Sequence, residues 1–229
     1  MKSIMNPDKK IKIVIIDSGV NIKYYNLKEN VLESIGFRID IDGTIEKVKN
    51  PIVENEHGTL VASCIKYIYK DIEFIDINIL DKDLSTNGNV LIKALKHSLS
   101  YNPNIVHLSL GTTSAKYWIA LKKIIRKLHK KNVIVVAALT NYGSKSYRAC
   151  FKEVIGVRGG EEYDMYKYNY MNKFFYTYNR LPLDLCKNKR HQEIRGNSIS
   201  CAYMTGNICK IINNVENEVT KEILKNYKI

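Results

Sequence analysis

The chain lacks any long apolar run. Nothing in its 229 residues approaches the ~20 consecutive apolar positions that a bilayer crossing needs. The opening stretch Met1-Lys2-Ser3-Ile4-Met5-Asn6-Pro7-Asp8 has no apolar signal core. These absences predict a cytoplasmic protein with no membrane partner. Cysteine is scarce and unpatterned: Cys64, Cys150, Cys186, Cys201 and Cys209 are odd in number and form no Cys-x-x-Cys pair. Reduced thiols, not a disulfide framework, are expected. No spaced pair of His, Cys or carboxylate ligands stands out, so neither a metal nor a cofactor is expected. No internal repeat, flexible linker or recognised nucleic-acid motif is present. A single domain over 1–229 follows, with 1–10 as an N-terminal extension and 214–229 as a C-terminal helix or tail.

What the chain has in excess is positive charge. Thirty-six basic against 23 acidic residues give a formal net charge of +13. The lysines are spread along the whole chain, which argues against a nucleic-acid partner. The densest patch is Lys122, Lys123, Arg126, Lys127, His129, Lys130 and Lys131. At helical spacing these mostly point away from Leu121, Ile125 and Leu128. A solvated helix face is the first reading, an acidic peptide partner the second, and nucleic acid the third.

Apolar runs of strand length alternate with helix-period segments. Residues 11–16, 73–80, 105–110, 133–138 and 153–157 are nearly continuous in Ile and Val, as a sheet covered on both faces requires. Between them, 57–69, 89–101, 115–130 and 198–213 repeat apolar positions at helical spacing, and 218–227 predicts a shorter helix. This alternation predicts an α/β fold with a mostly parallel central sheet and helices on both faces. Tyr166, Tyr168 and Tyr170 alternate, and Phe174, Phe175, Tyr176 and Tyr178 follow. That pattern predicts an extended segment whose aromatic face packs across the sheet edge or lines a groove.

Four residues carry candidate chemistry. Asp17 ends the first strand, where open α/β sheets place their ligands; it reads equally as a cap on the Ser18-Gly19 turn. His57 opens a helix beside Gly58, although a lone histidine is more often structural. Asn141 closes the run from Val133 and reads as a turn residue or as an amide donor. Ser198 follows Gly196 at the start of a helix, where free N–H groups favour negative charge; a plain N-cap is the alternative. As a set they supply a carboxylate to orient, an imidazole to move protons, an amide to hold an oxyanion and a hydroxyl to attack. His107, inside a buried-looking strand, reads as a core residue.

With these residues in hand, the chain resembles the subtilisin-like serine proteases (subtilases), in which the triad runs aspartate, histidine, serine. The likeness covers roughly 11–213 and is weakest over 160–195. It implies a subtilisin-like fold and a serine endopeptidase working through an acyl-enzyme, with Asp17, His57 and Ser198 as triad and Asn141 in the oxyanion hole. Ser109, Leu110 and Gly111 resemble the family strand that pairs with substrate backbone. Ser85, Thr86, Asn87 and Gly88 fall where the family has the opposing strand. The implied partner is a peptide or protein substrate, expected to be acidic from the net charge, such as the leader of a ribosomally made peptide.

The departures from the family pattern bear on activity. Asn197 stands where Thr is usual, Ile199-Ser200 replace Met-Ala, and Ala202 replaces a proline. Thr140 replaces the glycine before the oxyanion asparagine, and Tyr142 an acidic residue after it. A peptide-binding protein of the same fold with weakened catalysis is the alternative these changes raise. Asn26 sits where the family often has a calcium-ligating aspartate, so no calcium is expected there. With the first strand at Ile11, no folding pro-segment is expected.

Overall fold

Ile and Val runs form the strands of one nine-stranded sheet, in a computed structural model that describes residues 10–110, 115–140, 149–215 and 219–227. The strands are β1 (Ile11–Asp17), β2 (Val31–Ile39), β3 (Ile45–Lys49), β4 (Ile72–Asn78), β5 (Ile105–Leu108), β6 (Ile134–Ala138), β7 (Val154–Gly159), β8 (Asn169–Met171) and β9 (Phe174–Thr177). Their order is β3-β2-β4-β1-β5-β6-β7-β9-β8. The seven strands from β2 to β9 in that order pair in parallel, and β3 and β8 close the edges as antiparallel hairpins. The helices are α1 (His57–Ile68), α2 (Gly88–Ser98), α3 (Trp118–His129), α4 (Lys189–Gln192), α5 (Asn197–Asn214) and α6 (Lys221–Asn226).

The parity of β1 divides the core. Ile11, Ile13 and Ile15 pack with α1, α5 and α6, whereas Val14 and Ile16 pack with α2 and α3 on the other side. Both faces are therefore covered, which explains the unbroken hydrophobicity of the central strands. The most enclosed helix is α5, buried from Ile199 to Cys209. It lies close against α1 because Gly206 has no side chain: a Cβ there would come within 2.5 Å of Ile68 Cβ.

Several expectations need correction. The sequence pattern predicted five strands; the described residues hold nine. The strands β2 and β3 escaped notice because β3 is the sheet edge and β2, next to it, leaves Leu32 and Ile39 exposed, so neither a continuous apolar run nor clean alternation appears. The tyrosine-rich segment is not one extended run. It breaks at Asn172 and Lys173, both at positive φ (51° and 72°), where the β8–β9 hairpin turns. Its aromatic face does cover the sheet edge, with Tyr168 and Tyr170 ring centroids 5.5 and 4.9 Å from that of Phe175. The segment before α2 forms no strand; residues 85–87 are irregular and Gly88 begins the helix. Residues 109 and 110 likewise continue past β5 without ladder pairing.

The α1–α5 contact yields a stability prediction. Gly206→Ala should destabilise the fold by ~1–3 kcal/mol through overpacking, despite alanine's better helix propensity. A lowered urea midpoint at unchanged m-value checks it; an unchanged or raised midpoint would mean the helices separate freely.

Candidate active site

The same parity that sorts the core builds a polar cluster at the carboxyl ends of the central strands. Asp17 continues the odd-numbered face of β1 toward α1. In register with β1 on either side, Asp76 of β4 and His107 of β5 both stand opposite Ile15, and Asn78 stands opposite Asp17. All four side chains are buried, which is costly for polar groups unless they find partners.

Asp17 finds its partner in His57. Its Oδ1 lies 2.8 Å from His57 Nδ1 and also accepts the Ser18 backbone N–H at 2.7 Å. The carboxylate is fully enclosed (0% exposed), while the His57 side chain keeps 20% of its surface. Burial pushes the Asp17 carboxyl up, but the charge and hydrogen bond of His57 and the Ser18 N–H outweigh it, so the net direction is down. Burial pulls the His57 imidazole down, and the charge and hydrogen bond of Asp17 overcome that and raise it. Removing one partner of such a buried pair typically costs ~3–5 kcal/mol.

The local chain makes this approach possible. Asn55 Oδ1 accepts the His57 N–H at 3.0 Å and so starts α1. Ser18 Oγ accepts the Gly58 N–H at 3.0 Å and donates to Asn55 O at 2.9 Å. Gly58 is obligatory: a Cβ would fall 2.6 Å from Gly19 O and 3.1 Å from Asp17 Oδ1. The turn after Asp17 is tied from the other side by Asp76, whose Oδ2 accepts Val20 N–H at 3.0 Å and Ser34 Oγ–H at 2.6 Å. Burial pushes Asp76 up to about 6, against the two hydrogen bonds.

Ser198 enters on the second residue of α5, not as its N-cap; the cap is Gly196, at φ 154°. The N–H of Ser198 lies in the first turn, where intrahelical acceptors are absent. Asn197, the departure from the family's threonine, holds this helix start in place. Its Oδ1 accepts Gly159 N–H at 2.9 Å, and its Nδ2 donates to Leu139 O and Thr140 O at 3.1 and 3.2 Å. The start of α5 is thereby fastened to the ends of β6 and β7.

His57 and Ser198 line one cleft of about 390 Å³ together with Ser85, Thr86, Gly88, Ser109 and Leu110. Leu80, Leu84 and Leu91 supply further apolar wall. Asn87 is not on that wall; it caps α2, with Oδ1 accepting the Asn89 N–H at 2.8 Å. Asn141 and Gly111, the remaining expected site residues, lie outside the described residues. At Asn26, where no calcium was expected, the Lys66 ammonium donates to the backbone carbonyl at 2.7 Å.

Sequence reasoning missed His107 as a neighbour of the cleft. Thr205 Oγ gives its proton to Cys201 O at 3.0 Å, so it accepts from His107 Nδ1 at 2.8 Å. The other ring nitrogen, Nε2, is then the acceptor for Ser109 Oγ. Burial pulls the His107 pKa down to about 4, so the ring is neutral and orients a cleft hydroxyl. The signal was available in the i, i+2 spacing of His107 and Ser109 on one strand face.

The fold and cleft define a subtilisin-like α/β protein. The chain belongs to the Subtilase family, whose sequence model matches residues 8–228. It is similar to the "Intracellular serine protease" of Paenibacillus polymyxa, 23% identical over 71% of this chain and 53% of that protein. It is also similar to the "Major intracellular serine protease" of Bacillus subtilis, 25% identical over 65% of this chain and 50% of that protein. The chain thus spans about half the length of the curated relatives it matches. Among solved structures it superposes on a cold adapted subtilisin-like serine proteinase with a TM-score of 0.69 at 16% identity, covering 97% of this chain and 82% of that one. Sphericase gives 0.67 at 15% identity, covering 95% and 83%.

Two titrations follow. His57 should titrate above its ordinary 6.5 by NMR, and Asp17→Asn should bring it below 6.5, because burial then acts alone. The His57 part of the pair's stability contribution should be complete below about pH 6.5 and lost as pH rises through its raised folded value, while the Asp17 part should be lost as pH falls from 3.8 through its lowered folded value. A His57 titration unmoved by the substitution would contradict the contact. Asp76 has the opposite linkage to a paired carboxylate: its raised pKa makes stability fall as pH climbs from 3.8 to about 6. Asp76→Asn retains an oxygen for Val20 and Ser34 and should flatten that fall in urea titrations; an unaltered slope would mean Asp76 is ionised throughout.

Proposed function

We propose that this protein is a serine endopeptidase acting through an acyl-enzyme, with Asp17, His57 and Ser198 as its triad. The observation that carries the reading is the 2.8 Å contact of Asp17 Oδ1 with His57 Nδ1, at a cleft that His57 shares with Ser198. With Nδ1 held by the carboxylate, Nε2 is the ring nitrogen left for the cleft.

Ser198 Oγ attacks the substrate carbonyl as His57 Nε2 takes its proton, and Asp17 stabilises the imidazolium that forms. The tetrahedral oxyanion is held by the Ser198 N–H and the Asn141 side-chain amide. In subtilisin itself, loss of such a side-chain donor lowers turnover ~10²–10³-fold. Collapse releases the amine, which takes the proton from His57. Water then enters, gives its proton to His57 and hydrolyses the ester, which restores Ser198. The raised pKa of His57 strengthens it as a base and sets the acid limb of activity above pH 6.5.

The substrate is proposed to lie extended between Ser85–Gly88 and Ser109–Leu110, with further backbone hydrogen bonds from Gly111. A dedicated role in peptide maturation, removing a leader segment, is the narrower proposal. An intracellular setting is supported by five free thiols, three of them buried, and by two relatives that are themselves intracellular serine proteases by name.

A fluorophosphonate probe tests the reading. Wild type should label stoichiometrically, and Ser198→Ala should abolish labelling with the urea midpoint essentially unchanged. Tight peptide binding with no labelling or cleavage would instead identify a peptide-binding protein of the same fold.

A further inference from the structure

The cleft does not explain the charge of the chain. Its described walls are hydroxyl, apolar and imidazole groups, with neither Lys nor Arg among them. The basic groups concentrate instead on the outer face of α3, where a separate shallow groove of about 390 Å³ runs along the helix. Two ridges line it. One steps from Trp118 through Lys122 and Arg126 to Lys130, the other from Ile119 through Lys123 to Lys127.

We propose that this groove is an exosite for an acidic segment of the peptide substrate, outside the bond that is cut. The inference rests on the endopeptidase reading and adds to it a substrate class. Three observations support it. The first is charge. Arg126 is paired with Glu153 at 3.3 Å, while Lys123, Lys127 and Lys130 make no ion pair among the described residues.

The second is continuity with the cleft. Tyr117, just before α3, lies against Gly88 of the cleft wall, where a Cβ would come within 2.3 Å of its ring. Its hydroxyl reaches Asn87 Oδ1 at 3.5 Å. A chain leaving the cleft past Gly88 therefore meets Tyr117 and then Trp118. The groove extends from there for the 12 residues of α3, about 18 Å at ~1.5 Å per residue, which an extended segment of five or six residues at ~3.3 Å each would cover.

The third is the shape of the apolar surface. The stripe of α3 formed by Leu121, Ile124, Ile125 and Leu128 is buried against the sheet. Of the large apolar side chains of α3, Trp118 (37% exposed) and Ile119 (77%) remain outside, at the end nearest the cleft. That leaves no apolar face to sink into a bilayer, which an interfacial helix needs. It leaves an apolar foothold followed by a basic track. The Lys122 ammonium already sits 4.4 Å from the Trp118 ring centroid, so an arriving carboxylate would meet a cation fixed on an aromatic.

Trp118 is the chain's sole tryptophan, so its emission reports this site alone. Ser198→Ala protein would be titrated with a Glu-rich twelve-residue peptide, with its Gln counterpart, with anionic phospholipid vesicles and with duplex DNA. The expected result is a saturable change with the Glu peptide that weakens at least tenfold between low and half-molar salt. The triple variant Lys123→Glu, Lys127→Glu, Lys130→Glu should weaken it at least tenfold while keeping its circular dichroism. With Ser198 present, that variant should raise KM at least tenfold for a substrate with an acidic extension and leave kcat unchanged. A substrate lacking the extension should be cut equally by both proteins. No Trp118 response to the Glu peptide, or an equal response to the Gln peptide, would overturn the proposal, as would a response to vesicles or DNA alone. Binding of the Glu peptide with no hydrolysis of any peptide supports the surface and removes the catalytic reading.

Discussion

The Asp17–His57 hydrogen bond sets the terms for the structure around it. An ionised carboxylate with no exposed surface is tolerated only because an imidazole, a backbone N–H and a tight turn converge on it. That convergence demands glycine at position 58, since any side chain would strike the Gly19 carbonyl. It demands that the turn after β1 be tied down, which Asp76 does through Val20 and Ser18 does through Asn55 and Gly58. The start of α1 is fixed as a consequence of holding one proton between two side chains.

The sheet makes the convergence affordable in geometry. Parallel strands in register bring Asp76 and His107, and two residues further on Asp17 and Asn78, to one face, and α1 and α5 pack on that face. His57 and Ser198 ride on those two helices, which approach closely through Gly206. The helices therefore carry the ring and the alcohol into one cleft, while the carboxylate stays below in the sheet. Asn197 adds a second fastening, from the start of α5 to the ends of β6 and β7, and gives a structural role to a residue that departs from the family pattern.

The readable part of this design was the part written in local pattern. Central strands buried on both faces had to be continuous Ile and Val, so β1, β4, β5, β6 and β7 were legible, and α1, α2, α3 and α5 were legible from their apolar stripes. Asp17, His57 and Ser198 stood out in the sequence because each sits at the end of such an element, and the structure brings Asp17 against His57 and His57 to one cleft with Ser198. The edge strands β3 and β8 and their neighbours β2 and β9 were not read as separate strands, since a short or half-exposed strand needs neither continuous nor strictly alternating hydrophobicity. The partners of Asp76, and Thr205 as a partner of His107, were hidden for another reason: they depend on contacts between elements far apart in sequence, which single-chain periodicity does not encode. Ser198 read as an N-cap or a nucleophile because the one-residue difference in helix start, at Asn197, is below what sequence pattern resolves.

The proposed triad requires that His57 activate Ser198 and no other group. Stopped-flow mixing with an excess of p-nitrophenyl ester, quenched in acid and followed by peptide mapping, tests it most directly. The expected result is a burst of one equivalent of p-nitrophenol and an acyl group on Ser198 alone. A burst whose acyl group maps to Ser109 or Cys150, or the absence of any burst, would contradict it.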